Sequence, residues 1–237
     1  MSIRDLDIID RLNTPADEAY KVLRTNIQFC ALDGSLKTIA VTSTHAGEGK
    51  TTTCINLAIS VAKDEKKVLY VDADMRKSIS LKDFARRSSL GLSNYLSHRV
   101  EFEDIVKETN MENLSMVSCG VKPPNPAELL GTQTFREFLT EAAERFDFVI
   151  VDTPPLGSVI DCAIIANMTD GVLLVVKRKT VDFHKILRVK QQLEKANARI
   201  LGVVLNKIGK EDYKTYYKYY NYHSGSNDNC MKTRAQK

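Results

Sequence analysis

A glycine-rich turn between a predicted strand and a predicted helix constrains the fold of this chain more than any other feature. Residues 37–43 read KTIAVTS, which is typical of a strand, and residues 50–63 have the apolar spacing of a helix. The turn between them reads THAGEGK. A strand that passes through a turn into a helix begins a βαβ unit, and such units build parallel sheets covered by helices. The pattern therefore predicts a parallel α/β sheet.

The same turn fits a phosphate-binding loop. Residues 44–51 match the template GxxxxGK(S/T), except that Thr44 takes the first glycine position. The loop glycines let backbone N–H groups face phosphate oxygens, and the helix start adds partial positive charge. Lys50 would lie between the β- and γ-phosphates, and Thr51 would give a hydroxyl ligand to Mg²⁺. The predicted nucleotide-binding residues of the loop are Ala46, Gly47, Glu48, Gly49, Lys50, Thr51 and Thr52.

Two other predicted strands end in aspartates. The runs VLYVDADMR and FVIVDTPP are apolar up to Asp72 and Asp152, as expected for strands covered on both faces. Ligands of open α/β sheets bind at the carboxyl ends of the strands. Asp74 lies two residues beyond Asp72 and could face the same way, so that one carboxylate accepts a proton and the other holds metal-bound water. Asp152 fits the position that orients Mg²⁺, and Arg76 could reach a phosphate.

Strands and helices alternate along the rest of the chain. Further strands are predicted at 113–120, 170–177 and 199–207, and further helices at 15–31, 133–145, 159–167 and 183–196. The segment PPNPAELL, at 123–130, is predicted to be a loop that enters a turn, and residues 76–110 are charged and less regular. The fold class is therefore α/β, with a mostly parallel central sheet and helices on both faces.

Composition excludes several classes of protein. The 237 residues suit one large α/β domain or two small ones, and the net charge of +4 is too modest to predict nucleic-acid binding. The longest aliphatic runs are too short to span a bilayer, and the N-terminus lacks the apolar stretch of a signal peptide. Five scattered cysteines without CxxC spacing favour a reducing cytoplasm over disulfides or a zinc site.

Tyrosines are concentrated near the C-terminal end. The segment that holds them is too polar to bury the apolar surface that ordering requires, so the phenols are predicted to be exposed on a flexible tail. Exposed phenols beside a nucleotide site are candidate phosphoryl acceptors, although such a tail could instead pack on a partner. The six tyrosines of this cluster are Tyr213, Tyr216, Tyr217, Tyr219, Tyr220 and Tyr222.

Taken together, these motifs resemble a known family. STHAGEGKTTT, VLYVDADMR, FVIVDTPP and the tyrosine tail resemble the bacterial tyrosine kinases, and most closely the cytoplasmic kinase subunits of capsular and exopolysaccharide synthesis in Gram-positive bacteria. The resemblance implies a P-loop NTPase of the MinD/ParA-like branch that uses ATP and Mg²⁺ to phosphorylate tyrosine. We accordingly divide the chain into a flexible lead at 1–14, a P-loop kinase domain at 15–208 and a flexible tail at 209–237.

The resemblance also implies a role for each motif. Lys50 would be central to ATP phosphate binding, and Thr51 would bind Mg²⁺. Asp72 would be the favoured catalytic base, and Asp74 would lie near the metal. Asp152, which ends the strand of FVIVDTPP, would also bind the metal or its water. The tail tyrosines would be autophosphorylated in trans between neighbouring subunits, which would regulate polysaccharide synthesis.

Two further elements match the family pattern. Asn206 matches a position that contacts the adenine in related ATPases. Glu18, Lys21 and Arg24 resemble the family's oligomerisation motif E-x-x-R-x-x-R, with lysine in place of the middle arginine. Lysine cannot form the bidentate fork of arginine, and a solvated helix face is the alternative reading of these residues.

The resemblance implies several partners. A membrane adaptor would recruit the cytoplasmic kinase to the inner face of the membrane, and its cytoplasmic tail would complete the ATP site. A cognate tyrosine phosphatase and a ring-like homo-oligomer are also implied, and no nucleic acid is expected. Each phosphotyrosine adds about −1.5 to −2 charge, so tail phosphorylation could loosen the ring.

Two alternatives remain open from the sequence. One is a MinD/ParA-like ATPase without kinase activity, but that branch usually has an extra lysine near the start of the loop, where this chain has His45. The other is a nucleotide-gated regulatory subunit. ATP binding without phosphotyrosine would favour the second alternative.

Overall fold

A seven-stranded sheet forms the centre of the computed structural model, which describes residues 14–31, 36–76, 90–178 and 182–209. The strands are β1 (Thr38–Ser43), β2 (Val68–Asp72), β3 (Lys107–Glu108), β4 (Leu114–Val117), β5 (Phe148–Asp152), β6 (Gly171–Lys177) and β7 (Ile200–Asn206). Their order in the sheet is β3-β4-β2-β5-β1-β6-β7. Neighbouring strands are parallel except for β3 with β4, which confirms the prediction of a mostly parallel sheet.

Helices cover both faces of the sheet, as predicted. They are α1 (Thr14–Cys30), α2 (Lys50–Ala62), α3 (Leu92–Leu96), α4 (Phe102–Ile105), α5 (Pro126–Leu130), α6 (Gln133–Arg145), α7 (Asp161–Ala166) and α8 (Phe183–Lys195). The first two bury apolar side chains against one face, and α3 to α8 do so against the other. Among the described helices, none has the combination of length and apolar character that crossing a membrane requires.

The central strands are buried on both sides. Along β2, Leu69 and Val71 pack in one core while Val68 and Tyr70 pack in the other. This alternation arises because successive side chains of a strand point to opposite faces of the sheet. Burial on both faces explains why the strand reads as a continuous apolar run.

The strand order brings the predicted motifs to one edge of the sheet. β5 lies between β1 and β2, and all three are parallel, so their carboxyl ends meet. Asp72 is paired in register with Asp152 across β2 and β5. β1 leads directly into the phosphate loop at this same edge. The sheet topology therefore places the loop and the acidic strand ends together.

One prediction about the secondary structure is wrong. The segment PPNPAELL forms α5 from Pro126 onward, because proline lacks only an N–H group that the first helical turn leaves unbonded. The stretch predicted to be less regular contains α3, α4 and β3, which are too short to show a period. The tail tyrosines, residues 77–89 and most of the predicted lead lie outside the described residues.

Candidate active site

The phosphate loop lies between β1 and α2, as predicted. Gly47 has a φ of +78° and Gly49 a φ of +98°, a left-handed backbone that favours glycine. A Cβ atom at Gly49 would also lie 2.1 Å from Nδ2 of Asn206. Lys50 is buried and is the first residue of α2, at the end of the helix that carries partial positive charge. This arrangement suits the binding of an anion.

Asp152 is directly connected to the first turn of α2. The Thr51 hydroxyl donates a hydrogen bond of 2.5 Å to Oδ2 of Asp152, and the Tyr70 hydroxyl donates one of 3.2 Å to the same oxygen. Oδ1 of Asp152 is buried and has no hydrogen-bond partner among the residues that the structure describes. A buried carboxylate oxygen normally has a donor, a water or a cation beside it. The Thr51 and Asp152 oxygens therefore fit the ligand set expected for Mg²⁺.

Tyr70 was not predicted as a site residue. It is buried in the middle of β2, where every other side chain except the terminal aspartate is aliphatic. A buried tyrosine needs a partner for its hydroxyl, and that requirement was the available signal. Burial and the charge of Asp152 raise the pKa of Tyr70 well above its ordinary value, so its hydroxyl stays protonated and acts as a donor.

Asp72 and Asp74 lie together at the end of β2. The backbone N–H of Asp74 donates a hydrogen bond of 3.1 Å to Oδ1 of Asp72, and both side chains are buried. Burial, followed by the charge of Asp152, raises the pKa of Asp72 to about 8. Burial also raises the pKa of Asp152, to about 6, although the Thr51 hydrogen bond and the charge of Lys50 oppose that rise. The three carboxylates therefore lie together at the carboxyl ends of β2 and β5, the edge of the sheet at which each was predicted.

The acidic residues do not form a complete metal site by themselves. Within the described part of the chain, no group of three or more His, Cys, Asp or Glu side chains could hold a metal ion. Mg²⁺ commonly completes its octahedron with waters and substrate phosphates. The geometry thus fits a metal that arrives with the nucleotide.

Arg76 forms a bidentate ion pair with Asp161, which was not predicted as a site residue. Its Nε and Nη2 atoms donate to the two carboxylate oxygens of Asp161, at 2.7 and 2.8 Å. The Asp161 side chain is fully buried, whereas 41% of the Arg76 side chain is exposed. These two N–H groups are directed to Asp161 in the structure, and the contact of Arg76 with a phosphate stays a prediction.

The end of β7 is attached to the phosphate loop. Nδ2 of Asn206 donates to the backbone oxygen of Glu48 at 3.0 Å, and Nζ of Lys207 donates to the oxygen of Gly47 at 2.9 Å. Asn206 is therefore beside the nucleotide loop, as the prediction requires, but its contact with adenine stays a prediction. Lys207 was not predicted to take part.

The motif on α1 divides into an exposed part and a buried part. Lys21 forms an ion pair of 2.7 Å with Glu18 on the helix surface. Arg24 is only 18% exposed, and it contacts Asp64 at 3.2 Å and the Ser60 carbonyl at 2.5 Å. Arg24 therefore connects α1 to the end of α2 within one subunit, and the role of the motif in oligomerisation stays a prediction.

Comparisons with known proteins agree with this geometry. Residues 36–203 match the AAA domain family. The tyrosine-protein kinase CpsD of Streptococcus agalactiae is 39% identical over 221 residues, which cover 92% of this chain and 95% of that protein. YwqD of Bacillus subtilis, also named a tyrosine-protein kinase, is 37% identical over 90% of this chain and 88% of its own. The tyrosine-protein kinase wzc of Salmonella typhi is 32% identical over 86% of this chain, but that region is only 29% of its length.

Solved structures give the same result. The chimerical protein CapA2B2 has a TM-score of 0.80 at 33% identity, covering 85% of this chain and 88% of that one. The kinase domain of Escherichia coli tyrosine kinase ETK has a TM-score of 0.79 at 29% identity, covering 88% and 87%. MinD of Pyrococcus horikoshii OT3 shares the fold, with a TM-score of 0.62 at 24% identity over 75% of this chain and 73% of its own. This chain belongs to the family of bacterial tyrosine-protein kinases, which are built on a MinD-like P-loop domain.

Proposed function

We propose that this protein transfers the γ-phosphoryl group of Mg·ATP to tyrosines of its own C-terminal cluster, in trans between subunits, and thereby regulates capsular or exopolysaccharide synthesis. The observation that carries this proposal is the buried Asp152 carboxylate, which lies against Thr51 of the phosphate loop and has its second oxygen unpaired among the described residues. Family membership supports tyrosine as the acceptor.

The residues around Asp152 would hold the nucleotide and its metal. Thr51, Asp74 and Asp152 would bind Mg²⁺ or its waters, and Lys50 would neutralise the phosphates. Bound Mg²⁺ would supply charge neutralisation at the transferring phosphoryl group. Most of the catalytic effect would then come from positioning and electrostatics, which buried groups supply well.

Asp72 is the proposed base for the tyrosine hydroxyl. Its pKa of about 8 means that the nucleotide-free protein keeps Asp72 largely protonated at neutral pH. A base must be ionised, and a nearby cation lowers the pKa of a carboxyl group. Asp72 would therefore become competent as a base once positive charge at the loaded site lowers its pKa. Asp74 is the alternative base, since it lies beside Asp72.

The six tail tyrosines are the proposed substrate. Their support is compositional, since they lie outside the described residues: a polar, tyrosine-rich segment directly follows β7, whose end contacts the phosphate loop. An acceptor on a neighbouring subunit of a ring-like oligomer would be reached in trans. Glu18 and Lys21, which are exposed on α1, are the proposed contacts of that oligomer. A tyrosine phosphatase would reset the tail.

A separate membrane adaptor is the proposed activator. The relative named wzc is more than three times as long as the region that matches this chain, so that protein joins the same domain to further sequence. This chain, by contrast, matches nearly the full length of CpsD. We infer that a membrane adaptor activates this domain through its cytoplasmic tail and recruits it to the inner face of the membrane.

The experiment that tests the proposal combines full-length protein, Mg·ATP and the cytoplasmic tail of the adaptor, followed by mass spectrometry. Lys50→Met is the inactive control. Transfer in trans is tested by mixing Lys50→Met protein, which keeps its tyrosines, with active protein whose six tail tyrosines are phenylalanine. Phosphate on the Lys50→Met chain supports the proposal. Release of free phosphate without phosphotyrosine would instead indicate a MinD-like ATPase.

A further inference from the structure

Glu48 places a carboxylate inside the loop that is expected to bind phosphates. Its side chain is 3% exposed, so it does not simply extend into solvent. A negative charge facing the phosphates would weaken nucleotide binding. A buried carboxylate also destabilises the fold unless hydrogen bonds satisfy its oxygens. The contacts of this side chain therefore determine what it does.

The Glu48 carboxylate is bonded to the loop itself and to β6. Oε2 accepts a hydrogen bond of 2.8 Å from the Thr44 hydroxyl and one of 2.9 Å from the backbone N–H of His45. Oε1 accepts a longer one, of 3.4 Å, from the backbone N–H of Lys177 at the end of β6. The Glu48 side chain thus joins the middle of the loop to its first two residues, Thr44 and His45.

Thr44 explains a departure from the usual loop sequence. It occupies the first glycine position of the template, where glycine would provide no hydroxyl. Thr44 is buried and uses its hydroxyl on Glu48. Threonine at the first position and glutamate at the fifth therefore form one hydrogen-bonded pair across the loop.

The backbone of Glu48 is held as well. Its carbonyl accepts the hydrogen bond from Asn206 at the end of β7, and the next residue, Gly49, leaves room for the Asn206 amide. One residue thus connects the phosphate loop to the ends of both β6 and β7. Such connections reduce the number of conformations that the empty loop can adopt.

We propose that Glu48 is a positioning residue, whose buried carboxylate holds the phosphate loop in its nucleotide-receiving form through Thr44 and His45. A loop that is ordered before binding loses less conformational entropy when the phosphates arrive, and this raises affinity. The side chain acts through the loop backbone and does not itself contact the nucleotide. The negative charge of the carboxylate is instead stabilised by hydrogen bonds from the Thr44 hydroxyl and the backbone N–H of His45.

The test measures MgADP affinity and the kinetics of tyrosine phosphorylation in full-length Glu48→Gln and Thr44→Val variants. Each variant should bind MgADP roughly tenfold more weakly, which is the size of effect for one lost hydrogen bond to a charged acceptor. KM for MgATP should rise similarly, while kcat at saturating MgATP changes by less than about twofold. Glu137→Gln on the exposed surface of α6 removes the same charge elsewhere and should change neither value.

The direction of the Glu48→Gln effect is decisive. If the charge of Glu48 merely repels the phosphates, its removal would tighten MgADP binding, and this outcome would overturn the proposal. The Glu48→Gln, Thr44→Val double variant should lose less affinity than the sum of the two single variants, since both disturb the same Thr44–Glu48 hydrogen bond. Thr44→Ser keeps the hydroxyl and should restore affinity.

Two other outcomes would also contradict the proposal. Additive losses in the double variant would show that Glu48 and Thr44 act separately. A fall in kcat with an unchanged KM would show that Glu48 acts only in the transition state. If Glu48→Gln does not fold, as judged by thermal unfolding without nucleotide, the comparison of Thr44→Val with Thr44→Ser tests the same hydrogen bond.

Discussion

Asp72 and Asp152 end two neighbouring parallel strands and are paired in register, so that two buried carboxylates lie side by side beneath the phosphate loop. Burial has the largest effect on the pKa of each carboxyl, and a neighbouring carboxylate raises the pKa of each further: Asp152 for Asp72, and Asp74 for Asp152. The charge of Asp152 contributes to the raised pKa of Asp72, and Lys50 and Thr51 offset part of the rise at Asp152. The nucleotide-free site is therefore electrostatically unfavourable in its fully ionised form.

The stability of the nucleotide-free protein should decrease as pH rises from about 4 to 8. The pKa of Asp72 is raised from 3.8 to about 8, so the folded protein keeps a proton that the unfolded chain releases. The stabilising contribution is full below the unfolded pKa and is lost as pH rises through the folded pKa. Urea denaturation at several pH values measures the effect.

Asp72→Asn provides the matched comparison for that pH dependence. Without the ionising group, the free energy of unfolding should vary less with pH, and the variant should be more stable than the wild type at pH 8. Glu137→Gln, which removes an exposed carboxylate, should keep the wild-type slope. An unchanged slope in Asp72→Asn would show that Asp72 is ionised in the folded, nucleotide-free protein.

The same Asp72→Asn variant should lose tyrosine phosphorylation. Removal of a general base typically lowers the rate by about 10²- to 10⁴-fold. MgADP affinity should change only slightly near neutral pH, because asparagine keeps the shape and the neutral charge of protonated Asp72. Single-turnover phosphorylation in the presence of the adaptor tail measures the rate. A larger loss in Asp74→Asn, with activity preserved in Asp72→Asn, would assign the base to Asp74.

Tyr70→Phe should make nucleotide binding more sensitive to acid. The Tyr70 hydroxyl donates to Asp152 and lowers its pKa, so its loss should raise that pKa further above about 6. Protons would then compete with Mg²⁺ at higher pH, and the acidic limb of the MgADP-binding profile should move upward. The lost hydrogen bond should also cost about 1 kcal/mol of stability.

Calorimetric titration with MgADP between pH 5.5 and 8 would measure the Tyr70→Phe shift. At pH 8, where Asp152 is ionised in both proteins, the affinities should converge. Tyr70 is buried, so the variant should still phosphorylate its tail. Superimposable profiles would mean that the Tyr70 hydrogen bond does not tune Asp152.

The position of a site residue could be predicted from the sequence when it depended only on the strand that carries the residue. Asp72 and Asp152 follow apolar runs, and the carboxyl ends of parallel strands share an edge, so their placement at one edge of the sheet could be expected. Tyr70 was missed because its partner depends on which strand lies next to β2, and sheet order is not readable from one segment. Asp161 was missed for a similar reason, since it lies 85 residues from Arg76 along the chain.

The role of Glu48 could not be read from the loop template either. The template specifies backbone turns and the lysine, and it leaves the fifth position open. Only the three-dimensional loop shows that Thr44 and Glu48 are hydrogen-bonded. The short helix α5 was missed because five residues do not establish a helical period.

The two parts of the α1 motif should behave differently when they are changed. Arg24→Ala removes the contacts with Asp64 and the Ser60 carbonyl, so it should lower the thermal stability of the single subunit. Lys21→Ala breaks two surface ion pairs, with Glu18 and Asp17, whose loss should have little effect on stability, so this variant should act mainly on assembly. Light scattering and thermal unfolding separate the effects. Equal losses of stability in both variants would contradict this division.

Arg76 and Asp161 provide a test of whether Arg76 serves the nucleotide or the fold. Arg76→Ala would leave the fully buried Asp161 carboxylate without its fork and should destabilise the protein by about 2 kcal/mol, less than for a fully buried pair because the guanidinium is 41% exposed. Adding Asp161→Asn removes the unpaired charge, so the double variant should regain much of this stability.

The tyrosine-phosphorylation activity of the Arg76→Ala, Asp161→Asn double variant then shows whether Arg76 contacts a phosphate or only pairs with Asp161. If Arg76 contacts a phosphate, activity should stay low although stability has recovered, because the cation is still missing. If Arg76 only compensates Asp161, activity should recover together with stability. We expect the first result, since the Arg76 guanidinium lies close enough to the acidic end of β2 that, after the larger effect of the Asp161 hydrogen bond, the charge of Asp74 also raises its pKa. Recovery of both properties would restrict Arg76 to a structural role.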